Sequence, residues 1–452
     1  MDQMTELDPT PAANREAYAG GAAAKIGRWQ VAEATAPVTQ DIWPVLDYSR
    51  VPYRLYHDRT VYELEQKRVF GGPTWSMIGL AAEVPKIGDF RASYIGETPI
   101  VFNRDTDGSI KSFVNRCAHR GAKVRRELSG NANSHICIYH QWCFGPDGRL
   151  TGVPFRRGVE GQGGYNKDFN LADHGLQKVR IASIYGVLFG SLSDDAEPFE
   201  IYLGEELVGF LKRIFERPIR ILGYHRQRVR GNWKEYAVNP RDNYHASLLH
   251  AFFSTFGLER ASQVGGVTMD MRHRHCVTWG RTEDEAAQER AREAYARVSD
   301  HGLTLAEPSL VAFHPDSFDD LSVAIVSIFP NCIFQQIGNS VATRQIRPRG
   351  PDEFEIFQTV LGYADDSAEM TRHRLRQTNL IGPAGLVSME DGEAVELAHR
   401  ASKSTQQAAE VVELGGGGPI SDRDYRVNDV SVRGFWSYYA EMLGIEPAGA
   451  VR

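Results

Sequence analysis

The chain has 452 residues, 42% hydrophobic and 24% charged, with a formal net charge of −7 at pH 7. That is enough chain to bury a large core, in two domains, with the composition of a soluble globular protein. The acidic balance leaves no basic excess to neutralise phosphates, so no nucleic-acid partner is expected.

Five cysteines, at 117, 137, 143, 276 and 332, are too few and odd in number for a secreted disulfide framework. No apolar signal core follows the N-terminus. The expected location is cytoplasmic, where thiols stay reduced and can hold metal. The longest mostly apolar stretch, Ile181 to Leu192, has twelve residues and contains Ser183, Tyr185, Gly186, Gly190 and Ser191. A membrane helix needs about 20, so the stretch reads as paired strands and no membrane partner is expected.

In chain order, residues 1–45 are rich in Ala, Gly, Pro and Thr and read as a loosely held arm. Asp58 to Phe70 reads as a helix on the spacing of Val61, Leu64 and Val69. From Trp75 to Leu192 short β-rich runs follow one another: Ala92–Ile95, Ile100–Asn103, Ile110–Asn115, Ile136–Tyr139, Val179–Ile184 and Val187–Gly190. Turns at Asp105–Gly108 and Pro146–Gly148 join hairpins, which predicts a small antiparallel β domain. With its preceding helix it spans residues 46–195, and a catalytic domain spans 196–452. There Phe199–Phe215 reads as a helix, and Thr282 and Glu285 form a capping box for a charged helix to Val298. Val323–Phe329, Cys332–Gln336, Ser340–Ile346 and Phe354–Leu361 read as strands of one sheet. Asp365–Asn379, Glu390–Ser402 and Trp436–Leu443 read as helices. Gly415–Gly418 lacks the Lys-Ser/Thr that a phosphate loop needs. The expected class is α+β, an antiparallel β domain beside an antiparallel sheet flanked by helices in a helix-grip (START-like) arrangement.

Two clusters carry chemistry. Cys117-x-His119 and Cys137-x₂-His140 are separated by seventeen residues. A Rieske [2Fe–2S] cluster needs two thiolates on one iron and two imidazoles on the other, and two hairpin tips each giving one Cys and one His meet that need. Structural zinc also takes two Cys and two His, but in Cys pairs and His pairs, which this spacing does not match. Trp142 reads as a packing lid and Cys143 as a structural thiol. Arg116, Arg120, Lys123, Arg125 and Arg126 around the first loop are either a solvated face or a docking patch for an acidic electron donor.

The second cluster is His245 and His250. Five residues apart on a regular helix, they would point about 140° away from each other. They converge only at a helix start or a π-type bulge. Two histidines and one acid on one face of an iron leave positions open for dioxygen and substrate. Asp391, Glu390 and Glu393 are the candidate acids, and residue chemistry alone does not choose among them. Asp242, three residues before His245, can accept the outer N–H of a metal-bound imidazole or pair with Arg241.

Together with Gly231-Asn232-Trp233-Lys234 and Asp242-x-Tyr244-His245-x₄-His250, these motifs resemble the large (α) subunit of the Rieske non-haem iron ring-hydroxylating oxygenases. Gly145 through Gly158 and Ser254 through Leu258 resemble the branch that includes salicylate 5-hydroxylase and the terephthalate and anthranilate dioxygenases. The resemblance implies a mononuclear Fe(II) held by His245, His250 and Asp391, the Gly-Pro-Ala-Gly run at 382–385 favouring Asp391. It implies that Asp242 bridges His245 to His140 of a neighbouring subunit, so that electrons cross a subunit interface. It implies trimers of α or α₃β₃ with a small β subunit, and electrons from NAD(P)H through a reductase or ferredoxin. One departure is Val238, where the family often has Glu; a carboxylate beside the ligands is missing there.

The reaction so implied inserts oxygen from O₂ into an aromatic ring, in an acid of the salicylate, anthranilate, terephthalate or indole-acetate type. Leu248, Leu249, Phe252 and Phe253 are candidates for an apolar wall, and Asn239 for a polar contact. Arg344 resembles an arginine that contacts carboxylate in the terephthalate enzyme; Arg426 and Arg400 are further candidates, or structural ion pairs. The alternatives are a Rieske monooxygenase or demethylase without a β subunit, and an electron carrier, which would not need the second ligand set.

Overall fold

The computed structural model describes residues 42–256, 258–281, 303, 305–317, 319–383, 385–404 and 408–445. The charged helix expected after Thr282, and all but the last four residues of the expected arm, lie outside them. Of those four, Ile42 and Trp43 are buried. Trp43 packs edge-on to Trp436, 6.2 Å between ring centroids, so the arm ends earlier than its composition suggests.

The helix predicted from Asp58 begins there because the Asp58 carboxylate caps it, accepting from the N–H groups of Thr60 and Val61. It runs as an α-helix over Arg59–Glu65 and then widens to a π-turn over Gln66–Phe70. The β-rich part follows. Asp89–Ile95, Thr98–Arg104, Ile110–Val114 and Ser129–Asn131 form one antiparallel sheet. His135–Ile136, Cys143–Phe144 and Leu150–Gly152 form a second. Ile181–Leu192 folds as the paired strands Arg180–Ile184 and Val187–Ser191, which join Ser76–Leu80. Both expected hairpin turns are present, with Gly108 and Gly148 at φ +80°, a backbone that glycine adopts without steric penalty. The run Ile136–Tyr139 is a strand only at its start; from Cys137 the chain turns into a loop.

The larger part is built on an antiparallel sheet of seven strands among the described residues. In spatial order they are Ile219–Val229, Phe354–Tyr363, Ser340–Pro348, Cys332–Ile337, Leu321–Ile328, Cys276–Arg281 and Gly265–Met269. The inner strands are buried on both faces, which is why they read as continuous apolar runs. Phe334, Val326 and Leu361 face the helices Phe199–Leu203 and Glu205–Phe215. Ile325, Ile333 and Ile356 face Trp233, Tyr236, Val387 and Phe435 on the other side. The single helix predicted over Phe199–Phe215 is two, broken at Gly204 with φ +80°. The helices Ala368–Ile381, Leu386–Ser402 and Val430–Leu443 cover the second face.

The Gly231–Lys234 motif ties these parts together. Asn232 caps the helix Trp233–Val238 in a capping box with Glu235. Its side chain also donates to the carbonyls of Tyr56 and Pro351. Lys234 Nζ lies 2.6 Å from Glu65 Oε1, with both side chains fully buried. Trp233 and Tyr439 donate to the same carboxylate. Breaking a buried pair leaves a charge in a low-dielectric interior. Lys234→Ala is therefore expected to destabilise the fold by about 3–5 kcal/mol, read by urea unfolding, and adding Glu65→Gln should recover part of the loss.

Candidate metal centres

Cys117 and Cys137 open two loops of matching backbone design. Cys117 N–H donates to Ala122 O (2.8 Å) and Gly121 N–H returns to Cys117 O (2.9 Å). Cys137 N–H donates to Trp142 O (2.9 Å) and Gln141 N–H returns to Cys137 O (2.8 Å). Each loop closes through a left-handed residue, Gly121 at φ +73° and Gln141 at φ +55°. The two thiols are buried within hydrogen-bonding reach of each other. The rings of His119 and His140 meet edge to face, 4.4 Å between centroids. Trp142 stacks flat on His119 at 4.9 Å, as a lid would. His119 Nδ1 is buried with no hydrogen-bond partner, a donor set one ligand short of satisfied. Two thiolates and two imidazoles so arranged fit a Rieske cluster. Arg125 does not belong to a free docking patch: it donates to His135 Nδ1 at 2.7 Å and lies 4.4 Å over the Phe90 ring. Arg116, Arg120, Lys123 and Arg126 remain exposed.

Pro240 cannot continue the helix Trp233–Val238. The chain makes two short 3₁₀ turns, Asn239–Arg241 and Asn243–His245, then one helical turn, Ala246–Leu249. His250 breaks that turn with φ −89° and ψ 76°. One histidine thus precedes a helical turn and the other ends it, which removes the divergence a regular helix would impose. The Nε2 atoms of His245 and His250 lie 3.5 and 3.3 Å from Asp391 Oδ1. The three ligand atoms fall within 4.8 Å of one another, on the helix Leu386–Ser402 and the loop facing it. Among the three candidate acids, Asp391 points into the group, Glu390 bonds the outer Nδ1 of His250 at 2.7 Å, and Glu393 is exposed.

Asp242 bonds Nδ1 of His245 through its carboxylate and, at 3.0 Å, its carbonyl. An ionised carboxylate only accepts, so each Nδ1 carries the proton and each Nε2 keeps its lone pair for a metal. Burial pushes Asp391 upward, but histidines protonated at Nε2 would outweigh it through hydrogen bonds and charge and hold the carboxyl well below its usual range; a divalent cation in place of those protons acts in the same direction. Burial pushes Asp242 up against the pull of His245. Two neutral imidazoles and one carboxylate with open positions fit a non-haem ferrous ion. One other group among the described residues has metal-like spacing, His57, Asp352 and His399. There Lys403 Nζ sits 2.6 Å from Asp352 and His399 already bonds Glu235, which makes it an ion-pair network.

The candidate substrate residues separate. Asn239 Nδ2 donates to Asp391 Oδ1 at 3.2 Å, so it holds a ligand atom. Phe253 is buried with its ring 5.5 Å from His250, and Leu249 is half-buried. Leu248 is 76% exposed and walls nothing among the described residues. Arg426 takes the structural alternative: it is buried against Glu259 and donates to Arg260 O at 3.0 Å. Arg400 is exposed. Arg344 is buried, with Nη1 donating to Tyr236 Oη at 2.7 Å. Tyr236, unmarked in sequence although it stands one turn before Asn239, accepts from Arg344 and lies close enough to Asp391 to feel its charge. Burial raises its hydroxyl pKa, with the charges of Arg344 and Asp391 acting in opposite directions. Val238 packs against the main core. A cavity of ≈ 390 Å³ under the helix Glu205–Phe215, lined by Phe210, Arg213, Trp279 and Asp319, touches neither metal group.

Comparison with known proteins places both parts of the chain in known families. Residues 74–162 match the Rieske [2Fe-2S] domain family, and residues 218–445 match the catalytic domain of the ring-hydroxylating α subunit. The chain is 42% identical to the large subunit of anthranilate 1,2-dioxygenase of Burkholderia cepacia, over 89% of this chain and 95% of that one. It is 41% identical to an α subunit of the terephthalate 1,2-dioxygenase terminal oxygenase of Comamonas sp, over 89% and 98%. It is 40% identical to the large oxygenase component of salicylate 5-hydroxylase of Ralstonia sp, over 89% and 96%. A naphthalene 1,2-dioxygenase from Rhodococcus sp. solved with indole shares the fold, with a TM-score of 0.73 over 87% of this chain and 94% of that one, at 23% identity. No helix among the described residues is long and apolar enough to cross a membrane. Identity at this level, over 89% of the chain, goes beyond a shared fold: the chain belongs to the α subunits of the Rieske non-haem iron ring-hydroxylating oxygenases, oxidoreductases that carry a [2Fe–2S] cluster and a mononuclear iron.

Proposed function

We propose that this α subunit hydroxylates or dihydroxylates the ring of an aromatic carboxylic acid, drawing electrons from NAD(P)H through a partner reductase or ferredoxin. Arg344 carries the substrate part. Its side chain is 5% exposed and pairs with no carboxylate among the described residues, and its Nε is buried without a partner. A buried, unpaired guanidinium is costly, and a substrate carboxylate would supply the missing partner one tyrosine away from Asp391. Three similar proteins are named for anthranilate, terephthalate and salicylate, all aromatic acids.

In this reading Cys117, Cys137, His119 and His140 hold the cluster, and His245, His250 and Asp391 hold the iron, which when bound supplies reductive activation of dioxygen. The protein's own contribution is orientation. Asp242 and Glu390 fix the two imidazoles, Asn239 steadies Asp391, and Phe253 closes one side with apolar surface. Residues 46–195 then make the cluster domain and 196–452 the catalytic domain.

Exposed apolar residues support an assembly of several copies. Ile138 and Tyr139 beside His140, and Leu248 and Met389 beside the iron ligands, are all more than half exposed. A head-to-tail ring sets one patch on the other and brings His140 of a neighbouring copy towards Asp242. This supports a trimer, with or without a small β subunit; gel filtration with and without a co-expressed β chain distinguishes α₃β₃ from a monooxygenase or demethylase built of α alone.

The test of substrate is NADH-driven oxygen uptake with product analysis, using a compatible reductase and a panel of salicylate, anthranilate, terephthalate, benzoate, indole-3-acetate and naphthalene. Coupled turnover of one acid is expected. Arg344→Ala should lower kcat/KM for that acid by about 10- to 100-fold, the worth of a charge-assisted hydrogen bond, with the cluster spectrum unchanged. Turnover of naphthalene alone would overturn the carboxylate reading and leave the metal chemistry standing.

A further inference from the structure

We propose that Glu390 is a positioning residue of the mononuclear centre, which fixes the proton and the aim of His250 as Asp242 fixes those of His245. The inference rests on the reading of His245, His250 and Asp391 as the iron ligands.

Glu390 immediately precedes Asp391 on the helix Leu386–Ser402. Consecutive helical side chains diverge by about 100°, so the two acids cannot serve one ion together. Asp391 turns inward, its side chain 4% exposed, to within 3.3 Å of Nε2 of His250. Glu390 reaches the other edge of the same ring, with Oε2 2.7 Å from Nδ1. One imidazole is thus held between adjacent carboxylates of one helix, one on each nitrogen. The proton must sit on Nδ1, because the ionised Glu390 carboxylate cannot donate.

Among the described residues no other group does this for His250. His245 has two acceptors at Nδ1, the side chain and the carbonyl of Asp242. His250 lies at a break in the helix, where the backbone does not fix the ring, and Glu390 is the partner found for its Nδ1. Glu390 in turn pairs with no Lys or Arg among the described residues, and its side chain is 28% exposed. A carboxylate that pairs with no described Lys or Arg and bonds the ring of His250 acts first on that ligand. Outer partners of this kind raise the basicity of a ligating imidazole as well as aiming it.

The test uses the full chain with its cluster in place and the mononuclear iron removed, titrated with Co(II) and followed by equilibrium binding and by the visible ligand-field bands. Glu390→Ala is expected to weaken Co(II) binding by about 10- to 100-fold and to shift the bands, with the cluster spectrum unchanged and the protein still folded at the titration temperature. Glu390→Gln keeps an acceptor oxygen without the charge and should fall between. Wild-type affinity and bands in Glu390→Ala would overturn the proposal, as would a loss of affinity that only follows a loss of folded protein. Should the alanine variant not fold, Glu390→Gln decides alone: weaker binding supports the proposal, and unchanged binding overturns it. Failure of the ligand reading itself looks different: the wild type then takes up no Co(II) at this site, or His250→Ala binds it as the wild type does.

Discussion

Asp391→Ala is expected to empty the mononuclear site and abolish ring hydroxylation while leaving the cluster's visible spectrum intact. Asp391 is the one charged atom set within the triad, and Oδ1 is the point on which both Nε2 atoms converge. Its carboxyl is held well below its usual range, so it stays ionised across any working pH. Without it two neutral imidazoles remain, which hold a hard ferrous ion weakly, and Asn239 loses its acceptor. Metal analysis should show the iron of the cluster alone, and product analysis should show no hydroxylated ring. Glu393→Ala, two residues on and exposed, should retain both iron and activity. If Asp391→Ala kept its full iron content, a different acid would be the third ligand.

The sequence made the two histidine-containing clusters legible because their spacing is local. Cys117 with His119, Cys137 with His140 and His245 with His250 each lie within one loop or turn. Long-range pairings were not legible. Nothing near Arg426 in sequence announces Glu259, 167 residues earlier, so a buried ion pair looked like a candidate substrate clamp. The identity of the third ligand depended on which way one helix is rotated. Residues 389–393 carry three acids within five positions, and only the placement of that helix turns Asp391 in and Glu390 aside. Strands showed the same division. Leu321–Ile328 and Phe354–Tyr363, buried on both faces, were readable as apolar runs. Ile219–Val229 was not read: it is an edge strand whose alternate residues Arg220, Arg226 and Arg228 face outward, with an irregular register between Ile221 and Gly223. Gly265–Met269, at the other edge, opens on two glycines that lower strand propensity. The break at His250 was required by the chemistry but marked by no proline or glycine.

Asp242→Ala should separate metal content from turnover. The expected result is a protein that keeps its cluster and most of its mononuclear iron yet hydroxylates no substrate. Asp242 touches no ligand position directly. Its carboxylate bonds the outer nitrogen of His245, and its side chain is 30% exposed. Part of that side chain is therefore open to solvent, as are Leu248 and Met389, which neighbour the iron ligands in sequence. In the proposed head-to-tail ring His140 of a neighbouring copy would donate to it, and Asp242 would be shared by an imidazole of each metal centre. The contrast with Glu390 makes the expectation specific. Both acids back an iron-ligand histidine, so both substitutions should loosen the metal, and Asp242→Ala less so if the Asp242 carbonyl keeps its 3.0 Å bond to Nδ1. In the proposed ring only Asp242 faces His140 of a second chain. Mixing the reduced, iron-loaded variant with substrate and dioxygen, and following the cluster's colour over one turnover, tests this. The wild type should reoxidise its cluster in step with product. Asp242→Ala should hold the cluster reduced, while Glu390→Ala, reloaded with iron, reoxidises it. Reoxidation at the wild-type rate in Asp242→Ala would mean that the outward face of this carboxylate is ordinary surface and that the two centres communicate elsewhere.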